Sequence, residues 1–195
     1  MLKIGLTGNI GSGKTTIAMV FKILGIPIYH ADDEAKKLLL LPEIIDKLIN
    51  KFGNTILTNN IIDRKKLAAL VFTDADALQC LNQLIHPLIK TDFDQWLTLL
   101  PGNYKYIIQE AAILFESGFN DYVDKTILIT APEKLRMQRV MQRDGVSSEL
   151  FMQRASNQWI ESRKQMLADY TFINDDTQLV IPQILELHQK FMSFV

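Results

Sequence analysis

The chain has 195 residues, with 21 Lys and Arg against 22 Asp and Glu and a net charge of -1; that length suits one domain with its own core, and the balanced charge lacks the footprint of a general nucleic-acid binder. One cysteine, Cys80 in the apolar stretch ALQCLNQLI, excludes a disulfide framework and reads as a small buried hydrophobe. No apolar run is long enough to span a bilayer and the opening MLKIGLTG does not resemble a charged, cleavable leader, so a soluble cytoplasmic protein is expected, a monomer or weak oligomer with no membrane or nucleic-acid partner.

No repeat, low-complexity tract or Ser/Gly-rich linker divides the sequence, and residues 1–195 are read as a single unit. Residues 2–7 form a short apolar run ending in glycine, residues 15–24 have helical spacing, and residues 26–30 are again strand-like after Gly25 and Pro27. Such βα alternation predicts a parallel sheet. From Asp33 to about Leu100 the pattern is almost wholly helical, with breaks at Pro42, at residues 53–60 and at Pro87, which predicts an inserted helical region. Strands resume at residues 104–109 and 125–130, each apolar enough to lie inside the sheet. Pro132 suits the first turn of a helix running to about Asp144, where Gly145 follows, and Ser147 opens another helical stretch. Residues 170–174 give a last strand, and from about Gln178 the apolar residues Ile181, Ile184, Leu185, Leu187 and Phe191 recur near helical spacing.

The strongest local signal is GNIGSGKT, in which Gly8 is followed after four residues by Gly13-Lys14-Thr15, the P-loop pattern. It follows an apolar strand and opens a helix, as phosphate binding requires. Backbone amides of Asn9, Ile10, Gly11, Ser12, Gly13, Lys14, Thr15 and Thr16 can curl around a phosphate, because glycines allow the needed dihedrals and the helix N-terminus adds partial positive charge. Lys14 would reach the β- and γ-phosphates of ATP, and the Thr15 hydroxyl would ligate Mg²⁺. P-loops serve switches, motors and kinases alike, so the loop alone does not decide the activity. A guanine-specific switch would carry Asn-Lys-x-Asp late in the chain; the only Asn-Lys, Asn50-Lys51, is followed by Phe52-Gly53.

The stretch IYHADDE sets Asp32, Asp33 and Glu34 just after the second strand, and ligands in doubly wound sheets sit at the carboxyl ends of strands. An acid there can accept a proton from an attacking hydroxyl or hold it in line with the γ-phosphate. Asp is also a favoured N-cap, and acids in a first turn complement the helix dipole. One acid can cap while the other catalyses; Asp32, nearer the strand end, is assigned the chemistry and Asp33 the cap or solvent face.

The residues in order resemble the dephospho-CoA kinase family. IGLTGNIGSGKTT is similar to its opening, LGIPIYHADDEAKKL resembles its Asp-Ala-Asp segment, LIHPLI its His-Pro signature, ILFESGF the end of its Pro-Leu-Leu-Phe-Glu turn, and MQRDGVS with the following Gln and ADYTFIND its lid and final strand. The resemblance implies phosphorylation of the ribose 3′-hydroxyl of dephospho-CoA by ATP, with Asp32 as catalytic base. The family's first Asp falls on His30, and its usual proline before Leu-Leu-Phe-Glu falls on Ala112; both are departures.

Glu110 stands where a P-loop fold places the acid that holds Mg²⁺ directly or through water, although a strand-end carboxylate needs no such role. Glu116 could meet the acceptor or cap its loop. Arg136, Arg139 and Arg143 recur at intervals of three and four on one helix face, usually a solvated arrangement. On a lid, guanidiniums can close over phosphates and neutralise charge in the transition state, and Arg143 is the candidate for that catalytic role. The resemblance assigns Lys164 and, less directly, His86 to the acceptor, and Asn174 to the nucleotide base. Phe115 and Phe119 read as pantetheine or adenine contacts or as core.

These readings predict an α/β fold of the P-loop NTPase type, three-layered, with a five-stranded parallel sheet, a helical acceptor-binding insertion over about 33–100 and a helical lid over about 143–168. The alternatives are a P-loop kinase for another small acceptor, of nucleoside monophosphate or shikimate type, and a nucleotide-dependent regulatory switch.

Overall fold

The computed structural model describes residues 1–193, the side chains of Phe72 and Ala75 excepted. Five strands make one sheet: β1 (Leu2–Gly8), β2 (Ile28–His30), β5 (Tyr106–Glu110), β6 (Lys125–Thr130) and β7 (Tyr170–Ile173). They lie in the order β2-β5-β1-β6-β7 and every pair is parallel. Helix α1 (Lys14–Ile23) follows β1. Gly25, at φ 84°, ends it: its amide bonds the carbonyl of Lys22 at 3.0 Å and the amide of Ile26 bonds that of Phe21 at 3.1 Å. This is a Schellman closure, so Ile26 belongs to the cap and β2 starts at Ile28, later than apolar character alone suggests.

Ile4, Leu6, Tyr106, Ile108, Ile127 and Ile129 alternate with their neighbours to present one face of the sheet. On it lie Ile17, Ala18 and Phe21 of α1 and Ile184, Leu187 and Phe191 of the last helix, all buried in the same cluster. Tyr106 is central. Its ring meets Phe21 and Phe191 edge-on at 6.4 and 5.2 Å between centroids, and its hydroxyl bonds His188 Nδ1 at 2.7 Å. Burial raises the pKa of this phenol well above its ordinary value.

Contacts divide the chain into two compact units, one formed by residues 1–30 and 101 onward, the other by residues 31–100. Within the second, α2 (Ala31–Leu38) and α4 (Arg64–Thr73) pack on α5 (Ala75–Leu99), and α3 (Pro42–Phe52) buries Ile44 and Leu48. Asp63 caps α4 through the amides of Lys65 and Lys66, and Asp74 caps α5 through those of Asp76 and Ala77. Between α3 and α4 lies a hairpin that the helical pattern concealed, β3 (Leu57–Thr58) against β4 (Ile61–Ile62). Its turn is Asn59-Asn60, both at positive φ (52° and 62°), a pair that tolerates the left-handed conformation and that could have announced a two-residue hairpin.

Pro87 does not break the helical region: α5 is continuous through it for 25 residues. A proline in a helix interior costs about 3 kcal/mol. Ile85, Ile89 and Phe93, spaced by four, form a buried stripe across the same turns and hold them helical. Helices α6 (Glu133–Asp144), α7 (Ser148–Ala155), α8 (Glu161–Gln165) and α9 (Val180–Ser193) complete the first unit, with Pro132 just before α6 and the Ser147 hydroxyl capping α7 at the amide of Leu150. Among the described residues no helix is long and apolar enough to cross a membrane.

Phe191, on the last helix, reaches the rings of both Tyr106 and Tyr170 and is fully buried. Phe191→Ala is expected to destabilise the protein by about 3–5 kcal/mol. Urea unfolding followed by far-UV circular dichroism checks this, and a loss below 1 kcal/mol would show that α9 contributes little to the sheet's cover.

Candidate active site

The loop between β1 and α1 winds back on itself, with the Ser12 amide on the Asn9 carbonyl at 3.0 Å. Gly11 (φ 82°) and Gly13 (φ 93°) occupy left-handed backbone, and a Cβ on Gly11 would lie 2.5 Å from the Arg136 carbonyl oxygen. A Cβ on Gly13 would collide with the Asn174 side-chain amide. No larger residue fits either place, so the glycines are needed sterically as well as conformationally.

Three distant segments hold this loop. The Asn174 amide, just past β7, donates to the Ser12 carbonyl at 2.8 Å. Arg136, 5% exposed, gives its Nε hydrogen to the Ala131 carbonyl at 3.0 Å and a terminal nitrogen to the Ile10 carbonyl at 3.4 Å. Gln158, between α7 and α8, accepts the Ile10 amide hydrogen at 2.8 Å and donates to the Ala112 carbonyl at 3.0 Å, while Asn9 donates to the Trp159 carbonyl at 3.2 Å. Within the cradle the Ser12 hydroxyl and the Asn9 side-chain oxygen Oδ1 are buried with no hydrogen-bond partner, the state expected of groups that meet a ligand.

At the opening of α1 the Thr15 hydroxyl donates to Glu110 Oε1 at 2.7 Å, and His30 Nδ1 lies 2.5 Å from Glu110 Oε2. A hydroxyl that gives its hydrogen to a carboxylate keeps its lone pairs for a cation. This all-oxygen pair of a hydroxyl and a carboxylate suits Mg²⁺, which is bound by few protein ligands together with water and phosphate. Asp32 lies in the first turn of α2, two residues beyond His30 at the end of β2. Asp33 pairs with Lys36 at 2.6 Å on an exposed face.

Glu116 and Lys164 meet each other. Lys164 Nζ, fully buried, is 2.7 Å from Glu116 Oε1 and 3.2 Å from the Ala112 carbonyl, and the Trp159 amide also donates to Glu116 at 2.9 Å. Burial lowers the Lys164 pKa from its ordinary value; the field of Lys14 and Arg136 adds to this, and Glu116 opposes it. Glu161 is raised by burial, with Arg136 and Lys164 opposing. The arginine face of α6 is therefore divided. Arg136 is internal, Arg139 pairs with Asp176 at 2.5 Å, and Arg143 lies largely in solvent with its fork on Asp144 at 2.7 and 3.0 Å. Asp144 also takes Arg154 at 3.2 Å. His86 is half-buried within α5, where burial depresses its pKa, and Phe115 and Phe119 are buried. Arg136 and Gln158 are the loop's main supports that sequence reasoning did not select. The spacing of Arg136 matched a solvated face, and a lone Gln carries no signature outside a family pattern.

A glycine cradle between a parallel strand and a helix, with a hydroxyl and a carboxylate joined beside it, defines a P-loop nucleotide-binding protein. A model of the dephospho-CoA kinase family matches residues 2–180, and the chain belongs to that family. A dephospho-CoA kinase of Porphyromonas gingivalis is 40% identical over 192 residues, 96% of this chain and 93% of the relative. Among solved structures, TT1252 of Thermus thermophilus superposes with a TM-score of 0.84 at 29% identity, covering 100% of this chain and 98% of its own. A dephospho-CoA kinase from Campylobacter jejuni gives 0.69 at 28% identity, with 96% of each chain covered.

Removing one partner of a buried ion pair leaves an uncompensated charge, so Lys164→Met is expected to cost about 3–5 kcal/mol in urea unfolding. Adding Glu116→Leu should recover most of that loss. A single substitution that leaves stability unchanged would mean that the pair is dispensable to the fold.

Proposed function

We propose that the chain transfers the γ-phosphoryl group of ATP to the ribose 3′-hydroxyl of dephospho-CoA, giving coenzyme A in the last step of its biosynthesis, as a cytoplasmic enzyme. Membership of the family supports the reaction. The observation that carries the mechanism is the Thr15–Glu110 hydrogen bond at the carboxyl edge of the sheet, with Asp32 two residues beyond the neighbouring strand end.

In this reading the loop of residues 9–16 surrounds the β-phosphate with its amides, those of Ile10 and Ser12 excepted because Gln158 and the Asn9 carbonyl take them, and Lys14 bridges β- and γ-oxygens. Asn174 keeps Gly13 closely covered on the side assigned to the base. Thr15 would hold Mg²⁺ by its oxygen and Glu110 would hold a water of its hydration shell, because both carboxylate oxygens already accept hydrogen bonds from Thr15 and His30. When bound, the ion would supply positive charge that offsets the charge of the phosphates.

Asp32 accepts the hydrogen of the 3′-hydroxyl and aims its oxygen along the line of attack. Arg143, now turned to Asp144 at the end of α6, supplies charge to the migrating phosphoryl group when the segment over about 143–168 closes. On the acceptor side, Glu116 is assigned the contact to substrate, and Lys164 acts there by holding Glu116. His86 on α5 completes the assignment.

Asp32→Asn is expected to lower kcat about 10²- to 10⁴-fold with little change in KM for ATP, whereas Asp33→Asn should stay within about threefold of the parent. Coupled-enzyme assays of ATP consumption with dephospho-CoA measure both, and equal small losses would overturn the assignment. The same assay separates the rival readings. ATP use should rise in proportion to added dephospho-CoA and remain near background with shikimate or nucleoside monophosphates; slow turnover independent of any acceptor would indicate a switch.

A further inference from the structure

His30 is the position at which this chain departs from the family's Asp-Ala-Asp pattern, and no step above uses it directly. Its surroundings follow from register. His30 pairs with Glu110 across the parallel strands β2 and β5, so the two side chains project from one face as neighbours. Leu6 pairs with Glu110 on the other side, and that face is the one covered by α1, whose first turn brings Thr15 within reach. Glu110, 6% exposed, is thus held between two donors on different oxygens, Thr15 on Oε1 and His30 on Oε2 at 2.5 Å.

A carboxylate only accepts, so His30 donates from Nδ1. The terminal torsion of a glutamate is broad, and one hydrogen bond leaves the carboxylate plane loosely set. A second, on the other oxygen, sets it. Partners of this outer kind orient the groups that hold a metal, and their loss commonly weakens metal affinity 10- to 100-fold. An aspartate in place of His30 would set two carboxylates side by side on paired strand positions, with no hydrogen between them unless one took up a proton.

We infer that His30 is a positioning residue which, through its Nδ1 hydrogen, orients Glu110 and with it the Thr15 hydroxyl toward Mg²⁺ held on the nucleotide phosphates. This rests on the reading of Thr15 and Glu110 as the metal-holding pair, and it concerns the nucleotide side of the site only. The imidazole replaces an acid by a fixed donor, so the hydrogen that an acid pair would have to share is built into the side chain.

The test uses ADP as probe, titrated calorimetrically into the full-length protein with Mg²⁺ or with EDTA. In the parent, Mg²⁺ should tighten ADP binding. His30→Ala should reduce that tightening about tenfold while leaving the EDTA affinity and the melting temperature close to the parent. His30→Asn is the decisive variant, since its side-chain nitrogen sits one bond from Cγ, as Nδ1 does, and it cannot titrate; it should restore the Mg²⁺ effect. His30→Gln, whose nitrogen lies one bond further out, should not. The inference is overturned if Mg²⁺ has no effect on the parent, if His30→Ala keeps the full Mg²⁺ effect, if it weakens binding equally in EDTA, or if Asn fails to restore it. Phosphorylation of dephospho-CoA by the parent is assayed separately; failure there would remove the acceptor assignment and leave the ADP result to decide the role of His30.

Discussion

The hydrogen bond between Thr15 and Glu110 is the constraint from which the rest of the candidate site follows. It joins the first turn of a helix to the end of a strand 95 residues later, so it forms only if β1 and β5 are neighbours in one register. That register places Glu110 beside Leu6, two residues short of the glycine where β1 gives way to the loop. The same register between β5 and β2 brings His30 to the other oxygen. A slip of one residue would turn Glu110 to the opposite face and leave the hydroxyl, the carboxylate and the imidazole apart. The apolar cluster around Tyr106 and Phe21 therefore serves the site at a distance, because it holds the register fixed.

The phosphate loop is held in its wound form by contacts from within the protein. Its carbonyls and one of its amides are tied to Asn174, Arg136 and Gln158, each more than 120 residues away in sequence. Two of these ties are to backbone carbonyls, so they leave amide hydrogens of the loop directed elsewhere, while Gln158 takes the Ile10 amide out of that set. Electrostatic stabilisation of a moving phosphoryl group gains its strength from donors that are held in place by the surrounding protein. Gln158 also links the loop to Ala112, whose carbonyl receives Lys164, so the segment between α7 and α8 is connected to the nucleotide cradle through side chains.

Much of this was legible in the sequence where the signal is local or periodic. The five strands, the glycine loop and the helix after Pro132 were readable because each depends on its own residues, on apolar runs and on turn chemistry. Strand ends were less so: Ile26 is apolar enough for β2, yet its amide closes α1, and only the backbone path after Gly25 shows it. Pro87 signals a break that the buried stripe of Ile85, Ile89 and Phe93 overrides. Site partners joined across long sequence separations were not legible from spacing at all. Arg136, Arg139 and Arg143 share a face on a helical wheel, but the first is internal, the second paired with Asp176 and the third turned to solvent, because the packing of α6 against the loop varies along its length.

Charge shows the same separation between what a whole chain and a site disclose. The chain is almost neutral, and its net charge of -1 gives no hint that it handles anions. Within the first unit, however, Lys14, Arg136 and Lys164 lie near enough for their fields to add, and Lys164 is depressed partly for that reason, after burial itself. Glu116 and Glu161 offset part of this charge from inside the protein, Glu116 by a direct ion pair. A buried cation is costly unless paired, and a paired one contributes little field to a ligand. Lys164 with Glu116 is such a closed pair, tied also to the Ala112 carbonyl that Gln158 holds, so the buried cluster is a means of shaping the loop more than of attracting an anion.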